Sequence, residues 1–162
     1  MTYSTKKETK QTKKNTHKCT HKKVWKKEFS KKTKICIEKI NGYKVLFIEN
    51  ESRTLSVQSF IFRGFIHETL SNLGVNHLLE HVLSNAYKKC KNFNCYKYWS
   101  NIGVIGNAIT SNNILNYFVN GLEEDTNKML DFIVKITCEP EFNEALVEKE
   151  KQAVHNELLI NI

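Results

Sequence analysis

The first part of the apolar pattern has the short spacing of β-strands. Residues 35–40 carry isoleucine at three positions and lead into Asn41-Gly42, a strong signal for a two-residue hairpin turn. The apolar run 45–48 follows the turn, and the segment 55–62 adds a third stretch rich in aromatic and β-branched residues. The sequence therefore predicts a hairpin followed by a further strand.

Beyond these strands, the apolar positions are three and four residues apart, which is typical of helices. In chain order we predict a helix over 75–86, a helix over 93–101, short strands over 108–111 and 115–119, a helix from about Glu123 that ends by Pro140, and a last helix over 143–159. The inward positions of the last helix are Leu146, Ala153, Val154 and Leu158. This order of elements indicates the α+β class, with an antiparallel or mixed sheet packed on helices.

Positive charge is concentrated at the N-terminal end. The chain has 25 basic and 17 acidic residues and a net charge of +8, whereas residues 1–34 alone hold 13 Lys and two Glu, so the rest is mildly acidic. Repeated lysines repel one another and resist burial. We therefore predict a disordered Lys-rich arm over 1–33 and a single domain over 34–162, with any nucleic-acid contact confined to the arm.

The cysteines and the N-terminal composition bear on the compartment. There are five cysteines, at positions 19, 36, 90, 95 and 138. Their odd number and the lack of an apolar leader favour free thiols in the reducing cytoplasm. No apolar run reaches the length of about 18 residues that a membrane-spanning helix needs. Arg53 and Arg63 are the only arginines among many lysines, which is typical of an A/T-biased genome such as that of a large virus or a parasite.

The segment His77-Leu78-Leu79-Glu80-His81 carries the candidate chemistry. On a helix, two histidines four residues apart lie on one face and can both reach one Zn²⁺. Glu80 can lean over the same face and accept a proton from a water whose pKa the metal lowers. The pattern therefore predicts a zinc site, for which a third protein ligand is needed.

The last predicted helix offers this third ligand. Glu150 and Glu157 are seven residues apart and share a helix face, whereas Glu144 and Glu148 are rotated away from it. One carboxylate of the pair can bind the metal while the other holds the N–H of a ligating histidine. The spacing leaves open which of the two does which.

Five segments of the chain, in order, resemble the pitrilysin/insulinase zinc metallopeptidases, whose signature is H-x-x-E-H. The segments are 56–68 with its Gly64 and Glu68, the stretch Gly74–Leu83 around the two histidines, Gly103 with Asn107-Ala108-Ile109-Thr110-Ser111, Asn116-Tyr117-Phe118, and Glu150–Glu157. The resemblance spans about residues 35–160. The segment Ser84-Asn85-Ala86-Tyr87 departs from it, because the family usually continues there with a bulkier Phe and then Gly-Thr.

The resemblance implies a role for each matching residue. His77, His81 and Glu157 correspond to the zinc ligands, Glu80 to the general base, and Glu150 to the carboxylate behind a ligating histidine. Asn107 and Ala108 correspond to an edge strand that binds substrate as an added β-strand. The fold it implies is part of one half of a pitrilysin-type peptidase.

The resemblance also implies the function and the partners. The chain is expected to be a zinc-dependent endopeptidase, or the catalytic fragment of one, that acts on a peptide or protein substrate. Because it is shorter than one complete half, we expect a second pitrilysin-like half or a homo-oligomer as partner. Two alternatives stay open: a non-catalytic zinc-bearing subunit or peptide-holding scaffold, and an RNA-binding protein that acts through the Lys-rich arm.

Overall fold

The computed structural model describes residues 25–30, 33–90, 92 and 94–160, and divides the chain into two compact units between Glu51 and Ser52. The first unit contains three antiparallel strands in the order β1 (Trp25–Ser30), β2 (Thr33–Ile40) and β3 (Tyr43–Glu49). The turn between β2 and β3 has positive φ at both Asn41 (50°) and Gly42 (90°), as the Asn-Gly hairpin signal predicts.

The strand β1 lies within the segment 1–33 that the charge pattern assigns to a disordered arm. Among the described residues, regular structure begins at Trp25, ahead of the predicted start near Lys34, and β1 pairs with β2 from Trp25↔Ile37 onward. Apolar and polar residues do not alternate along β1, so backbone hydrogen bonds to β2 are what place it in the sheet. Residues 1–24 of the predicted arm lie outside the described residues.

The second unit is built around an antiparallel sheet with the order β4-β6-β5. Its elements are β4 (Thr54–Ile61), α1 (Val75–Asn85), α2 (Cys95–Ser100), β5 (Ile105–Thr110), β6 (Leu115–Leu122), α3 (Thr126–Cys138) and α4 (Glu144–Ile160), with short 3-10 turns at Phe65–His67 and Glu123–Asp125. All pairings of the described strands are antiparallel, which confirms the α+β prediction and selects the antiparallel option. No described helix is long and apolar enough to cross a membrane.

The central strand β6 carries the core of this unit. Leu115, Tyr117 and Val119 alternate along it and are 0–1% exposed, so one face of the sheet is sealed by the helices. An aromatic cluster continues the core, in which Trp99 lies 4.9 Å from Phe132 between ring centroids. Leu158 of α4, predicted to face inward, is instead 57% exposed.

Gly64 allows two backbone segments to approach closely. A Cβ at this position would lie 2.2 Å from the backbone oxygen of Ser111 and 2.7 Å from the carbonyl carbon of Asn112. The backbone N–H groups of Phe65 and Ile66 donate to the carbonyl oxygens of these same two residues. The loop before α1 is therefore fixed to the β5–β6 turn.

The expectation of free thiols is wrong for two cysteines. Cys90 and Cys95 form a disulfide, with their Cα atoms 4.8 Å apart, and both side chains are buried in the core. Cys36 and Cys138 are free. The disulfide closes the connection between α1 and α2.

Candidate metal centre

Glu68 fixes the start of the helix that carries the two histidines. Gly74 precedes α1 in the left-handed region, with φ 84°, and α1 has no N-cap side chain of its own. Instead, the Glu68 carboxylate accepts hydrogen bonds of 2.8 Å from the backbone N–H groups of Gly74 and Asn76, and one of 2.9 Å from the Asn76 side chain. Burial raises the pKa of Glu68, but these hydrogen bonds from Asn76 and Gly74 outweigh it and lower the pKa below its ordinary value. The charged carboxylate therefore stabilises the N-terminus of α1.

The predicted metal ligands converge between α1 and α4. The Nε2 atoms of His77 and His81 are 3.2 Å apart, and Glu157 Oε2 lies 3.5 Å from the first and 3.6 Å from the second. One ligand atom from each of the three side chains lies within 4.8 Å of the others. These are the residues that the resemblance assigns to zinc. Two of them lie on α1 and the third on α4, with α2 and α3 between them in the chain.

Glu150 lies on the Nδ1 side of the His81 ring, opposite the Nε2 atom that belongs to the cluster. It is 4% exposed, and its Oε2 lies 3.3 Å from His81 Nδ1. When His81 carries its proton on Nδ1, this N–H donates a hydrogen bond to Glu150. Nε2 of the same ring then has a free lone pair directed at His77 and Glu157. The two carboxylates that the spacing left interchangeable are thus distinguished: Glu157 lies with the imidazole Nε2 atoms, and Glu150 lies on the far side of the ring.

The donor set fits zinc. Two imidazole nitrogens and one carboxylate oxygen are a ligand combination of catalytic zinc sites, which keep a fourth position for water or substrate. Tetrahedral bonds of zinc to such ligands place neighbouring ligand atoms about 3.3 Å apart. The three separations of 3.2, 3.5 and 3.6 Å agree with that edge length. The cluster could therefore hold Zn²⁺ with little rearrangement.

Glu80 contacts the strand that follows α2. Thr110 at the end of β5 donates a hydrogen bond of 2.5 Å from Oγ1 to Glu80 Oε2, which orients the carboxylate. Tyr117 lies close by and donates to the Leu79 carbonyl oxygen at 3.4 Å. Burial, and then the charge of Glu80, raise the pKa of Tyr117 well above its usual range, so its phenol stays protonated.

Asn107 and Ala108, the predicted substrate contacts, lie on β5. Among the described strands β5 pairs with β6 alone, so it forms one edge of the sheet. Asn107 is exposed and Ala108 is half-buried. The Ala108 N–H donates a hydrogen bond of 2.9 Å to Asn107 Oδ1 on the same strand.

Three residues of the site were not assigned a role from the sequence. Glu68 and Thr110 lie in the segments that resemble the family, but no local capping pattern links Glu68 to a helix that begins seven residues later. Asn85 donates from Nδ2 to Glu150 Oε1 at 3.4 Å across 65 residues of chain. No periodicity or short motif predicts a contact at that separation.

Comparisons with known proteins indicate the family of the chain. The sequence profile of the family described as Insulinase (Peptidase family M16) matches residues 44–159. An uncharacterized zinc protease, YmxG, of Bacillus subtilis is 28% identical over 119 residues, which are 73% of this chain and 29% of the relative. The mitochondrial-processing peptidase subunit beta of Dictyostelium discoideum is 27% identical over 131 residues, which are 80% of this chain and 28% of the relative.

The fold is found in a solved structure. The crystal structure of a protease from Helicobacter pylori superposes with a TM-score of 0.68 at 24% identity, over 75% of this chain and 30% of that one. The chain thus spans less than a third of the length of the curated relatives described above.

Proposed function

The chain belongs to the insulinase family of peptidases (M16), and on this premise we propose that it is the zinc-dependent catalytic portion of an endopeptidase. His77, His81 and Glu157 are the zinc ligands in this proposal, Glu80 is the general base, and Glu150 supports His81. The observation that carries it is the convergence of two imidazole Nε2 atoms and one carboxylate oxygen within 4.8 Å.

The proposed chemistry is the hydrolysis of a peptide bond. A zinc ion held by His77, His81 and Glu157 would lower the pKa of a bound water and polarise the substrate carbonyl group. Glu80 takes one proton from the attacking water while the oxygen of that water adds to the scissile carbonyl carbon. The same carboxyl group then gives the proton to the amide nitrogen as the C–N bond breaks, so that an acid and an amine leave and Glu80 is again charged.

The edge strand β5 would align the substrate. An extended peptide that pairs with a sheet edge gains backbone hydrogen bonds without any requirement for particular side chains. Thr110 connects this edge to the base, because it lies on β5 and donates to Glu80 Oε2. We propose Asn107 and Ala108 as substrate contacts on that ground.

We also propose that the active form needs a second half. The chain covers 29% of the zinc protease and 28% of the peptidase subunit, and the second of these relatives is by name one subunit of a larger enzyme. A second pitrilysin-like chain, or a further copy of this one, would then enclose the substrate together with β5.

The test separates metal binding from hydrolysis. We expect about one zinc per chain in the purified protein and peptide cleavage that a chelator abolishes and added zinc restores. Glu80→Gln should keep the zinc and lower the rate of cleavage by at least about 100-fold, because general-base catalysis contributes about 10²–10⁴-fold. Glu148→Gln on the exposed face of α4 is the matched control and should change neither.

His81→Ala should lose the metal together with the activity. Equal cleavage by the Glu80→Gln variant and the parent would contradict the assignment of the base. Zinc bound at one equivalent with no cleavage, even in the presence of a partner chain, would instead support a non-catalytic zinc-bearing subunit.

A further inference from the structure

The buried carboxylate of Glu150 contacts the proposed metal ligand His81, and each of its two oxygens needs a hydrogen-bond partner. Glu150 is 4% exposed, and only its Oε2 contacts His81. Leaving the other oxygen of such a group without a hydrogen bond is costly in a protein interior. The orientation of His81 therefore depends on what holds Glu150 Oε1.

Asn85 meets this requirement. It lies one turn after His81 on α1, and its Nδ2 donates to Glu150 Oε1 at 3.4 Å and to the backbone oxygen of His81 at 3.3 Å. Its Oδ1 accepts from the backbone N–H of Cys95 at 3.3 Å. Because both ends of the amide have partners, the side chain can have only one of its two flipped orientations: exchanging oxygen and nitrogen would place donors against the Cys95 N–H and an acceptor against Glu150.

A continuous chain of hydrogen bonds thus leads from the α2 N-terminus to the metal ligand. It begins at the N–H of Cys95, a residue that is 3% exposed and bonded to Cys90, and passes through Asn85 and Glu150 to His81 Nδ1. Each member is anchored in the core or on a helix. This chain can fix the position of the His81 ring more firmly than a single carboxylate whose second oxygen is solvated.

A lysine competes for the same oxygen. Lys149 Nζ lies 3.5 Å from Glu150 Oε1, but its side chain is 50% exposed. Exposed ion pairs of this kind contribute little, because solvent screens them and the long side chain must be ordered. The buried amide, and not the ammonium group, is therefore the better anchor for Glu150.

We propose that Asn85 is a positioning residue of the metal centre: its amide fixes Glu150, which in turn holds His81 with the proton on Nδ1 and the Nε2 lone pair directed at the ion. This inference rests on the proposed zinc function. Removal of a hydrogen-bond partner directly behind a metal ligand lowers metal affinity about 10–100-fold. Since Asn85 acts through Glu150, we expect a smaller loss, about 5–10-fold.

The test compares Asn85→Leu, which keeps the size of the side chain but can neither donate nor accept, with Lys149→Gln. The zinc dissociation constant is measured by competition with a chromophoric chelator, and the His81 tautomer is read from long-range ¹H–¹⁵N spectra of the zinc-free protein at pH 8. We expect Asn85→Leu to weaken zinc binding about 5–10-fold and to convert His81 from the Nδ1-protonated tautomer to a mixture. Lys149→Gln should stay within about twofold of the parent in affinity and keep the tautomer.

The possible failures are distinguishable. The inference is overturned if Asn85→Leu leaves both the affinity and the tautomer unchanged, or if Lys149→Gln produces the larger loss. If Asn85→Leu does not fold, Asn85→Ala is compared in the same way, and the parent spectrum alone refutes the inference if His81 carries its proton on Nε2. Failure of the parent itself to bind zinc would refute the proposed function, whereas the tautomer comparison would still decide the role of Asn85.

Discussion

Replacing Glu68 by Gln should destabilise the protein through the start of α1. The change keeps the shape of the side chain but removes its charge and turns one carboxylate oxygen into an N–H₂ group. That group would face a backbone N–H of Gly74 or Asn76, both of which now donate to Glu68 at 2.8 Å. One charge-assisted hydrogen bond is lost, and the others are weakened.

The expected loss follows from these contacts. A hydrogen bond to a charged group contributes about 1.5–3 kcal/mol, and a carboxylate at a helix N-terminus adds about 0.3–1 kcal/mol. Because Glu68 is partly exposed, the lower part of this range applies, and we expect Glu68→Gln to lower the free energy of unfolding by about 2 kcal/mol. For a unit of this size, the midpoint of thermal unfolding should fall by about 8 °C.

The loss should depend on pH in a defined direction. The folded-state pKa of Glu68 lies below its ordinary value of 4.5, so the ionised carboxylate stabilises the folded state at every pH above 4.5. This contribution disappears as the pH falls through the lowered folded-state pKa. The difference between parent and variant should therefore be complete at pH 7 and decrease steadily below about pH 4.5.

The assay is urea unfolding, followed by tryptophan fluorescence, to which the buried Trp99 contributes, at pH 7 and at successive lower pH values. Glu139→Gln is the matched control, since Glu139 lies at the end of α3 and pairs with Lys135 at an exposed position. It should cost no more than about 0.5 kcal/mol. A variant within 0.5 kcal/mol of the parent, or a loss that persists undiminished at low pH, would refute the capping role of Glu68.

Three further predictions concern the fold and the metal. Gly64→Ala should cost more than about 3 kcal/mol, because its Cβ would lie 2.2 Å from a backbone oxygen; a soluble variant with parental urea stability would contradict this. Reduction of the Cys90–Cys95 disulfide should cost about 2 kcal/mol, the entropy of so short a loop, and the Cys90→Ser/Cys95→Ser variant should no longer respond to the reductant. Zinc at about 100 times its dissociation constant should raise the free energy of unfolding by about 2.7 kcal/mol, and Glu157→Ala should abolish most of that gain.

The strands and helices with clear periodicity could be predicted from the sequence. The Asn41-Gly42 turn, the helix with the two histidines and the buried strand around Tyr117 each carry a local signal that the tertiary structure reinforces. The strand β1 could not be predicted, because its residues show no apolar alternation and its pairing with β2 is made by backbone groups, which leave no pattern in the sequence. In the same way, an odd number of cysteines does not reveal that two of them lie 4.8 Å apart between their Cα atoms.

The candidate site also combines features that the sequence predicts with features that only the packing of the helices determines. The helical spacing of His77 and His81 places them on one face, and the seven-residue spacing of Glu150 and Glu157 does the same on the last helix. Which carboxylate meets the Nε2 atoms depends on how α4 lies against α1, and that is set by packing. The contact of Asn85 with Glu150 has the same origin, so only the folded chain reveals it.

The position of Glu157 on α4 has a consequence for how the centre assembles. Leu146, Glu150 and Val154 are the buried residues of this helix, and every residue from His155 to Ile160 is exposed. The last described turns of α4 therefore bury little side-chain surface, and Glu157 meets the two histidines from an exposed part of the helix. Binding of a cation by Glu157 and the two histidines of α1 would therefore link this exposed part of α4 to α1, and part of the binding free energy would be used to order residues 155–160. The helical order of residues 155–160 should then rise with the free concentration of the metal.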